Sequence, residues 1–311
     1  MHSSKALPRE SSPLRKAGLR ESADRRTFNT IGYVLIALLS LFCLLPFILI
    51  ISGSFTSQAS IMTDGYQLIP REFSLEAYEF LFEAPGDILR AYGVTIFVTV
   101  VGTLVSLLVT SMAAYVLANK AFRYRNTVSF FFYFTTVFGG GLVPWYIFNI
   151  KYLQFKDNLI SLILPTLVNV TYLLILKSYM KNVPDAVYES AHLDGAGDWT
   201  IYWKIALPLN KAGLATVGLF TALNYWNDWY NAMLYIDNSK LYPLQYYLND
   251  ILNKSQGMMA AAAQAGIPAA QIPTEPVKLA MTVVATGPIL LLYPFLQKYF
   301  VKGVTIGAVK G

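Results

Sequence analysis

Six apolar stretches alternate with shorter polar segments along most of the 311-residue chain. A bilayer core needs about 20 apolar residues of helix to cross it, and each stretch is close to that length or longer. They are Ile31–Ile51, Gly93–Leu117, Val128–Phe148, Leu159–Leu176, Ala212–Met233 and Leu279–Tyr299. With 55% hydrophobic and 14% charged residues, the chain lies outside the range typical of soluble domains. The sequence therefore predicts an all-α polytopic membrane protein with six transmembrane helices.

The basic residues indicate how these helices are oriented. Outside the spans, sixteen Lys and Arg residues fall on the side that holds both termini, and seven fall on the other side. The positive-inside rule then places both termini in the cytoplasm. Because the charges cluster at span ends rather than along one face, the net charge of +6 indicates membrane topology and not binding to nucleic acid.

This interpretation divides the chain into five regions. They are a mobile cytoplasmic tail (1–30), a first transmembrane helix (31–51), an extracellular loop with a short surface helix (52–90), a core of five transmembrane helices (91–300) and a cytoplasmic tail (301–311). In the extracellular loop, helical spacing predicts that Leu75, Tyr78 and Phe82 share the apolar side of the surface helix.

A polar segment inside the core, residues 182–208, has a distinct local pattern. Acidic Asp185 and Glu189 follow Pro184, which favours a helix start. Gly195 and its neighbours predict a sharp turn after that helix. Asp198 is a suitable N-cap for a second helix. The apolar side of this second helix is predicted to carry Trp199, Tyr202, Trp203 and Ala206.

The same segment resembles the cytoplasmic coupling loop of ABC importer permeases, whose signature is E-A-A, three residues, G, nine residues, I, one residue, L-P. The matching residues are Glu189, Ser190, Ala191, Gly195, Ile205, Leu207 and Pro208, with Ser190 in place of the usual alanine. Asp194, Gly195 and Ala196 match the D-G-A of the carbohydrate branch. The resemblance implies a type I ABC importer permease fold. It also implies that these nine residues couple the chain to an ATPase.

Other segments extend the resemblance from about Phe73 to Gly311. Phe73–Tyr78, Leu241–Gln245 and the ending FVKGVTIGAVKG are similar to maltose-type sugar permeases. The family implies a multi-pass protein of the bacterial inner membrane. Its implied partners are a homologous second permease, an ATPase dimer, an extracellular solute-binding protein, a sugar or oligosaccharide and the lipid bilayer. The resemblance of the C-terminal sequence favours oligosaccharides as the transported substrate, with complex or acidic plant-derived sugars as candidates.

Five residues are candidates for a substrate pathway: Asn169, Asn224, Trp226, Asn227 and Asp228. Amides and a carboxylate beside aromatic rings suit sugar recognition, because rings stack on pyranose faces and amides pair with hydroxyls. The alternative is the aromatic belt of a membrane interface, which explains the amides less well. The resemblance leaves open that the sugar is held chiefly by the partner permease.

Two features of the sequence leave alternatives open. Gly139–Gly141 and Pro144 interrupt one span, which is typical either of a pore-lining bend or of a packing notch for a neighbouring helix. The chain also lacks a phosphate-binding loop, so we expect no enzyme activity and no bound cofactor, with ATP and Mg²⁺ held by a separate ATPase. The alternatives to an ABC permease are an ion-coupled secondary transporter and a non-transporting membrane scaffold.

Overall fold

The computed structural model describes residues 23–264 and 273–308, without the side chains of residue 263 and residues 292–308. The chain divides into two units, residues 1–49 and residues 50–311. The regular elements in the described part are helical. They are α1 (Ala23–Ser54), α2 (Gln58–Asp64), α3 (Glu76–Leu81), α4 (Pro85–Ala118), α5 (Arg125–Val137), α6 (Leu142–Ile147), α7 (Ile160–Ile163), α8 (Val170–Lys181), α9 (Asp185–Leu193), α10 (Asp198–Ile201), α11 (Leu207–Leu209), α12 (Lys211–Trp226), α13 (Tyr230–Tyr235), α14 (Leu244–Gln264) and α15 (Thr274–Ala308).

Helical structure extends into both predicted tails. Helix α1 begins at Ala23, so residues 23–30 are helical, and the prediction of a mobile tail for residues 1–22 lies outside the described residues. Helix α15 continues past the predicted last span to Ala308. Helical backbone hydrogen bonding continues through the polar residues 23–30 and beyond the length that a bilayer requires, so hydropathy alone does not mark where a helix ends.

Two helices in the described part are long and apolar enough to cross a membrane singly, Asp24–Ser54 and Pro85–Ala118. Three bent pairs raise this number to five if each pair is one span. Bends of 112°, 56° and 81° separate α5 from the α6 segment, the α7 segment from α8, and the α10–α11 segment from α12. The predicted sixth span, 279–299, lies within α15.

The largest bend falls at the glycines that the sequence singled out. Helix α5 ends at Val137, and Gly141 adopts a φ of +84°, which favours glycine. A Cβ atom added at Gly139 or Gly140 would meet no atom within 4 Å in the described part of the chain. A helix of this chain packed against these glycines, the alternative to a pore-lining bend, is therefore not seen there.

Helix α4 is the centre of the second unit and packs against α8, α12 and α14. Apart from the adjacent Thr110 and Ser111, its buried positions recur every three or four residues, which places them on one side of the helix. They are Ile88, Ala91, Thr95, Val98, Gly102, Ser106, Thr110, Ser111, Ala114 and Leu117. Many of these side chains are small, and small residues allow helix backbones to approach closely in a membrane protein.

The most buried residues of helix α3 are not those of its predicted apolar side. Leu75 and Phe82 are exposed, whereas Ala77 and Leu81 are buried and pack in a cluster with residues of α4, α14 and α15. The segment is helical from Glu76 to Leu81, so Leu75 and Phe82 are the two residues that flank the helix. Packing against α15, and not a membrane surface alone, therefore orients α3.

Candidate functional site

Residues 182–208 form two helical pieces joined at Gly195, as the sequence predicted. Helix α9 ends in a Schellman motif, in which the Ala196 N–H donates to the Ala191 carbonyl at 2.9 Å and the Gly195 N–H donates to the His192 carbonyl at 3.0 Å. Gly195 has a φ of +82°, a conformation that side chains rarely adopt. The N-cap of α10 is Gly197, so Asp198 is the first helical residue and not the predicted cap.

The coupling segment, as we call residues 182–208, is fixed to α4 by aromatic and polar contacts. Tyr115 of α4 lies between two of its rings, with centroid distances of 6.2 Å to Tyr188 and 5.5 Å to Tyr202. The hydroxyls of Tyr202 and Ser111 are 2.8 Å apart. Burial, with Asp185 contributing, raises the pKa of Tyr188, so its hydroxyl stays neutral. The segment is therefore held against the end of α4 as one body.

The outer surface of the coupling segment carries large apolar side chains. Leu193 is 89% exposed and Trp199 is 62% exposed. Of the four residues predicted for the apolar side of the second helical piece, Tyr202 and Ala206 are buried, whereas Trp203, like Trp199, is exposed. The buried residues are Ile201, Tyr202 and Ala206, because a π-helical turn from Tyr202 to Ala206 shifts the helix register.

Glu189 is also exposed, and no ion pair to its carboxylate is seen among the described residues. A cavity of about 700 Å³ separates the coupling segment from the ends of α4, α5 and α8. Charged side chains of both signs line it: Lys120, Arg125, Lys181, Asp185, Glu189, His192 and Asp198. Lys120 pairs with Asp185 across this cavity. The surface thus combines exposed apolar groups with charges, as docking surfaces for proteins do.

A second cavity, which we call the polar groove, has a volume of about 570 Å³. It brings together four of the five predicted pathway residues, Asn169, Asn224, Asn227 and Asp228. Its other lining residues are Ser106, Pro165, Thr166, Val168, Tyr172, Thr221, Leu223, Tyr225 and Asn231. Residues separated by more than a hundred positions therefore meet at one site.

Hydrogen bonds fix the polar side chains of the groove. Asn169 caps α8 by accepting from the Thr171 N–H at 2.9 Å, and it is exposed at the start of that helix. The Asn224 amide donates to the Tyr172 hydroxyl at 3.0 Å. The Asp228 carboxylate accepts from the Asn231 amide at 2.6 Å.

Trp226 is placed differently from the other candidates. It does not line the polar groove, is 8% exposed, and packs in a core cluster with Val277 and Ala285. Its indole N–H donates to the Ala285 carbonyl at 3.1 Å. A helical turn carries successive side chains to different sides, so Trp226 faces α15 while Asn224 faces the groove. The aromatic member of the predicted pathway is instead a packing residue.

Residues 111–306 match the family described as "Binding-protein-dependent transport system inner membrane component". The chain belongs to this family. The match covers the coupling segment and the residues of the polar groove from Pro165 to Asn231.

Relatives of this inner membrane component include the polygalacturonan/rhamnogalacturonan transport system permease protein YtcP of Bacillus subtilis, which is 39% identical over 92% of this chain and 99% of YtcP. The arabinooligosaccharides transport system permease protein AraQ of Halalkalibacterium halodurans is 28% identical over 91% of this chain and 95% of AraQ. A crystal structure of a bacterial ABC transporter involved in the import of the acidic polysaccharide alginate matches with a TM-score of 0.72. It is 29% identical and covers 90% of this chain and 98% of that chain.

Sequence reasoning about this inner membrane component missed several site residues. Tyr172, Thr221 and Asn231 line the groove beside the predicted asparagines, and Leu193 is exposed on the coupling segment. Thr221 lies near the middle of an apolar span, where a polar residue signals a functional position. Leu193 carries no such signal, because leucine is equally common in a buried helix face.

Proposed function

We propose that this chain is the transmembrane permease subunit of an ATP-driven importer that moves a sugar or oligosaccharide delivered by an extracellular binding protein. Its relatives are named for the transport of polygalacturonan/rhamnogalacturonan and arabinooligosaccharides, and they match nearly the full length. Family membership also supports a second permease, an ATPase and a solute-binding protein as partners. No observation favours the ion-coupled transporter or the scaffold.

The coupling role is supported chiefly by the exposed surface of residues 182–208. The sequence of this segment also has the residue spacing of the family signature. Leu193 and Trp199 would supply apolar anchors for the ATPase, and the unpaired Glu189 would meet one of its basic residues. The remaining coupling residues act in two ways. Gly195 and Ala196 form the turn, while Ser190, Ala191, Asp194, Ile205, Leu207 and Pro208 shape the two helical pieces.

Closure of the ATPase dimer would then move the coupling segment as one body. Because Tyr202 and Tyr188 hold the segment to α4, this motion would be transmitted to the helices that pack on α4. Rigid-body rocking of helices in this way would expose the polar groove alternately to the two sides of the membrane. ATP and Mg²⁺ are bound by the ATPase subunits in this proposal, and this chain holds no cofactor.

The proposal places the chain in the bacterial inner membrane with six spans and both termini in the cytoplasm, as the charge count predicts. A cysteine introduced as Asp194→Cys in a Cys43→Ser background should react with a membrane-impermeant maleimide only in inverted vesicles. Asp87→Cys in the same background should react only in right-side-out vesicles. Labelling of Asp194→Cys from the outside would refute this orientation.

The turn at Gly195 provides the test of the coupling role. Gly195→Val forces a β-branched residue into a φ of +82° and should distort the segment, so substrate-stimulated ATP hydrolysis should fall at least tenfold. Gly197→Val is the matched control, because Gly197 has a φ of −75° and open space around its Cα. Glu189→Lys should have the same effect as Gly195→Val, whereas Glu189→Gln should be milder.

Membrane insertion of each variant is checked by its amount in purified membranes. Undiminished uptake by both Gly195→Val and Glu189→Lys at normal expression would remove the coupling role. Equal losses for Gly195→Val and Gly197→Val would show that the segment tolerates no change at all, and the argument from the turn would fail.

A further inference from the structure

We infer that the polar groove accepts neutral, hydroxyl-rich saccharide units and disfavours the carboxylates of uronic acids. The inference rests on the proposed function, in which the groove lies on the substrate pathway. It goes beyond that function because it assigns a charge preference to this subunit.

The charge of the groove is the first observation. None of its thirteen lining residues in the described part of the chain is Lys, Arg or His, and the single ionisable acid among them is Asp228. Both Asp228 oxygens accept from Asn231, at 2.6 Å from the side-chain amide and 3.1 Å from the backbone N–H. Those donors are neutral, so they orient the carboxylate without cancelling its charge. A second carboxylate in the groove would meet like charge.

The free hydrogen-bonding capacity of the groove is the second observation. The Tyr172 hydroxyl accepts from Asn224 and keeps its own proton to donate, and the Asn224 carbonyl oxygen can still accept. Thr221, at the floor of the groove, is 4% exposed, and its hydroxyl has no hydrogen-bond partner in the described part of the chain. A buried hydroxyl without a hydrogen-bond partner destabilises the protein. A ligand group that bonded to the Thr221 hydroxyl would therefore gain more binding free energy than one that met an already bonded hydroxyl.

These groups discriminate between a hydroxyl and a carboxylate. A sugar hydroxyl donates and accepts, so it can pair with Asp228, with the Asn224 carbonyl and with the Tyr172 proton. An ionised carboxylate only accepts, so Asp228 and the Asn224 carbonyl offer it nothing. The volume of about 570 Å³ lies within the usual range of ligand pockets. If the transported glycan is acidic, its carboxylates must face away from this groove.

The test compares two glycans in the complete transporter, with its own binding protein and ATPase. Uptake of an oligogalacturonide is measured against uptake of a neutral galacto-oligosaccharide of the same chain length. The selectivity of the binding protein is the same in every variant, so it cancels when the ratio of the two rates is compared between variants. Asp228→Asn should raise the ratio of acidic to neutral uptake at least tenfold.

Two further variants keep the test independent of any misfolding of Asp228→Asn. Asn224→Asp adds a carboxylate beside Tyr172 without touching the Asp228–Asn231 bonds, so it should lower the ratio at least tenfold. Asp87→Asn, which removes an exposed carboxylate paired with Arg90 outside the groove, should leave the ratio unchanged.

An unchanged ratio in both Asp228→Asn and Asn224→Asp would overturn the charge preference. Failure of the proposed pathway would look different, because Asn224→Ala would then leave the KM and rate of both glycans unaltered. A loss of neutral uptake in Asn224→Ala, with no change of ratio in the acidic and amide variants, would retain the pathway and reject only the charge preference.

Discussion

Replacing Gly102 with alanine tests the packing that forms the wall of the polar groove. A Cβ atom at Gly102 of α4 would lie 2.7 Å from Cζ and 2.8 Å from Cε2 of Tyr225, closer than such contacts occur. The Tyr225 ring has little room to retreat, because it is 3% exposed and its hydroxyl donates to the Ile163 carbonyl at 3.0 Å. Gly102→Ala must therefore displace the ring, the helix or both.

The expected loss of stability follows from three contributions. Overpacking a close helix contact costs about 1–3 kcal/mol. Loss of the Tyr225–Ile163 hydrogen bond costs about 1 kcal/mol more. Alanine in place of glycine within a helix stabilises the folded protein by about 1 kcal/mol. The free energy of unfolding should thus fall by roughly 1–3 kcal/mol.

Thermal unfolding of the purified transporter at one fixed heating rate measures this change. The control is Gly93→Ala in the same helix, where an added Cβ meets nothing within 4 Å in the described part of the chain. That variant should gain up to about 1 kcal/mol, so the two variants should differ by about 2–4 kcal/mol. Sugar uptake should also fall in Gly102→Ala, because Tyr225 lines the groove. Equal melting temperatures for the two variants would refute the argument.

Two further predictions concern residues that do not line the groove. Trp226→Phe removes the hydrogen bond to the Ala285 carbonyl and should cost about 1–2 kcal/mol in thermal unfolding while the KM for the sugar stays the same; a changed KM at unchanged stability would contradict this. The Asn238 and Asp237 backbone N–H groups lower the pKa of Asp157 from its ordinary 3.8. The contribution of the Asp157 carboxylate to stability is therefore fully present above pH 3.8, and it is lost as the pH falls through the lowered pKa. The difference in melting temperature between the wild type and Asp157→Asn should be constant at higher pH and should shrink below pH 3.8. A difference that grows on acidification would refute it.

Several site features were predictable because they depend on local chemistry. Gly195 was recognised as a turn, since few residues other than glycine adopt a positive φ. The interrupted span at Gly139–Gly141 was recognised for a related reason, because runs of glycine followed by proline do not continue a helix. In both cases the backbone conformation is determined by residues within a few positions of the glycine.

The direction that a side chain faces was less predictable. Trp199 and Trp203 were predicted to share the apolar side of the second helical piece with Tyr202, and Leu75 and Phe82 to share the apolar side of α3 with Tyr78. The four residues Leu75, Phe82, Trp199 and Trp203 are exposed in the structure, whereas Tyr202 is buried. Helical periodicity assumes an ideal helix of sufficient length. A short α3 and a π-helical turn after Ile201 break that assumption.

The sequence alone determined that the apolar segments are helical, because a long apolar segment in a bilayer must satisfy its backbone hydrogen bonds internally. It also determined the family and the position of the coupling segment. Only the tertiary structure decided that Asn169 meets Asn224 and Asp228 in a groove, and that Trp226 turns away from it towards Ala285. Those outcomes depend on how α4, α8, α12 and α15 pack against one another. Contacts between segments that are distant in the sequence produce no periodic pattern from which they could be predicted.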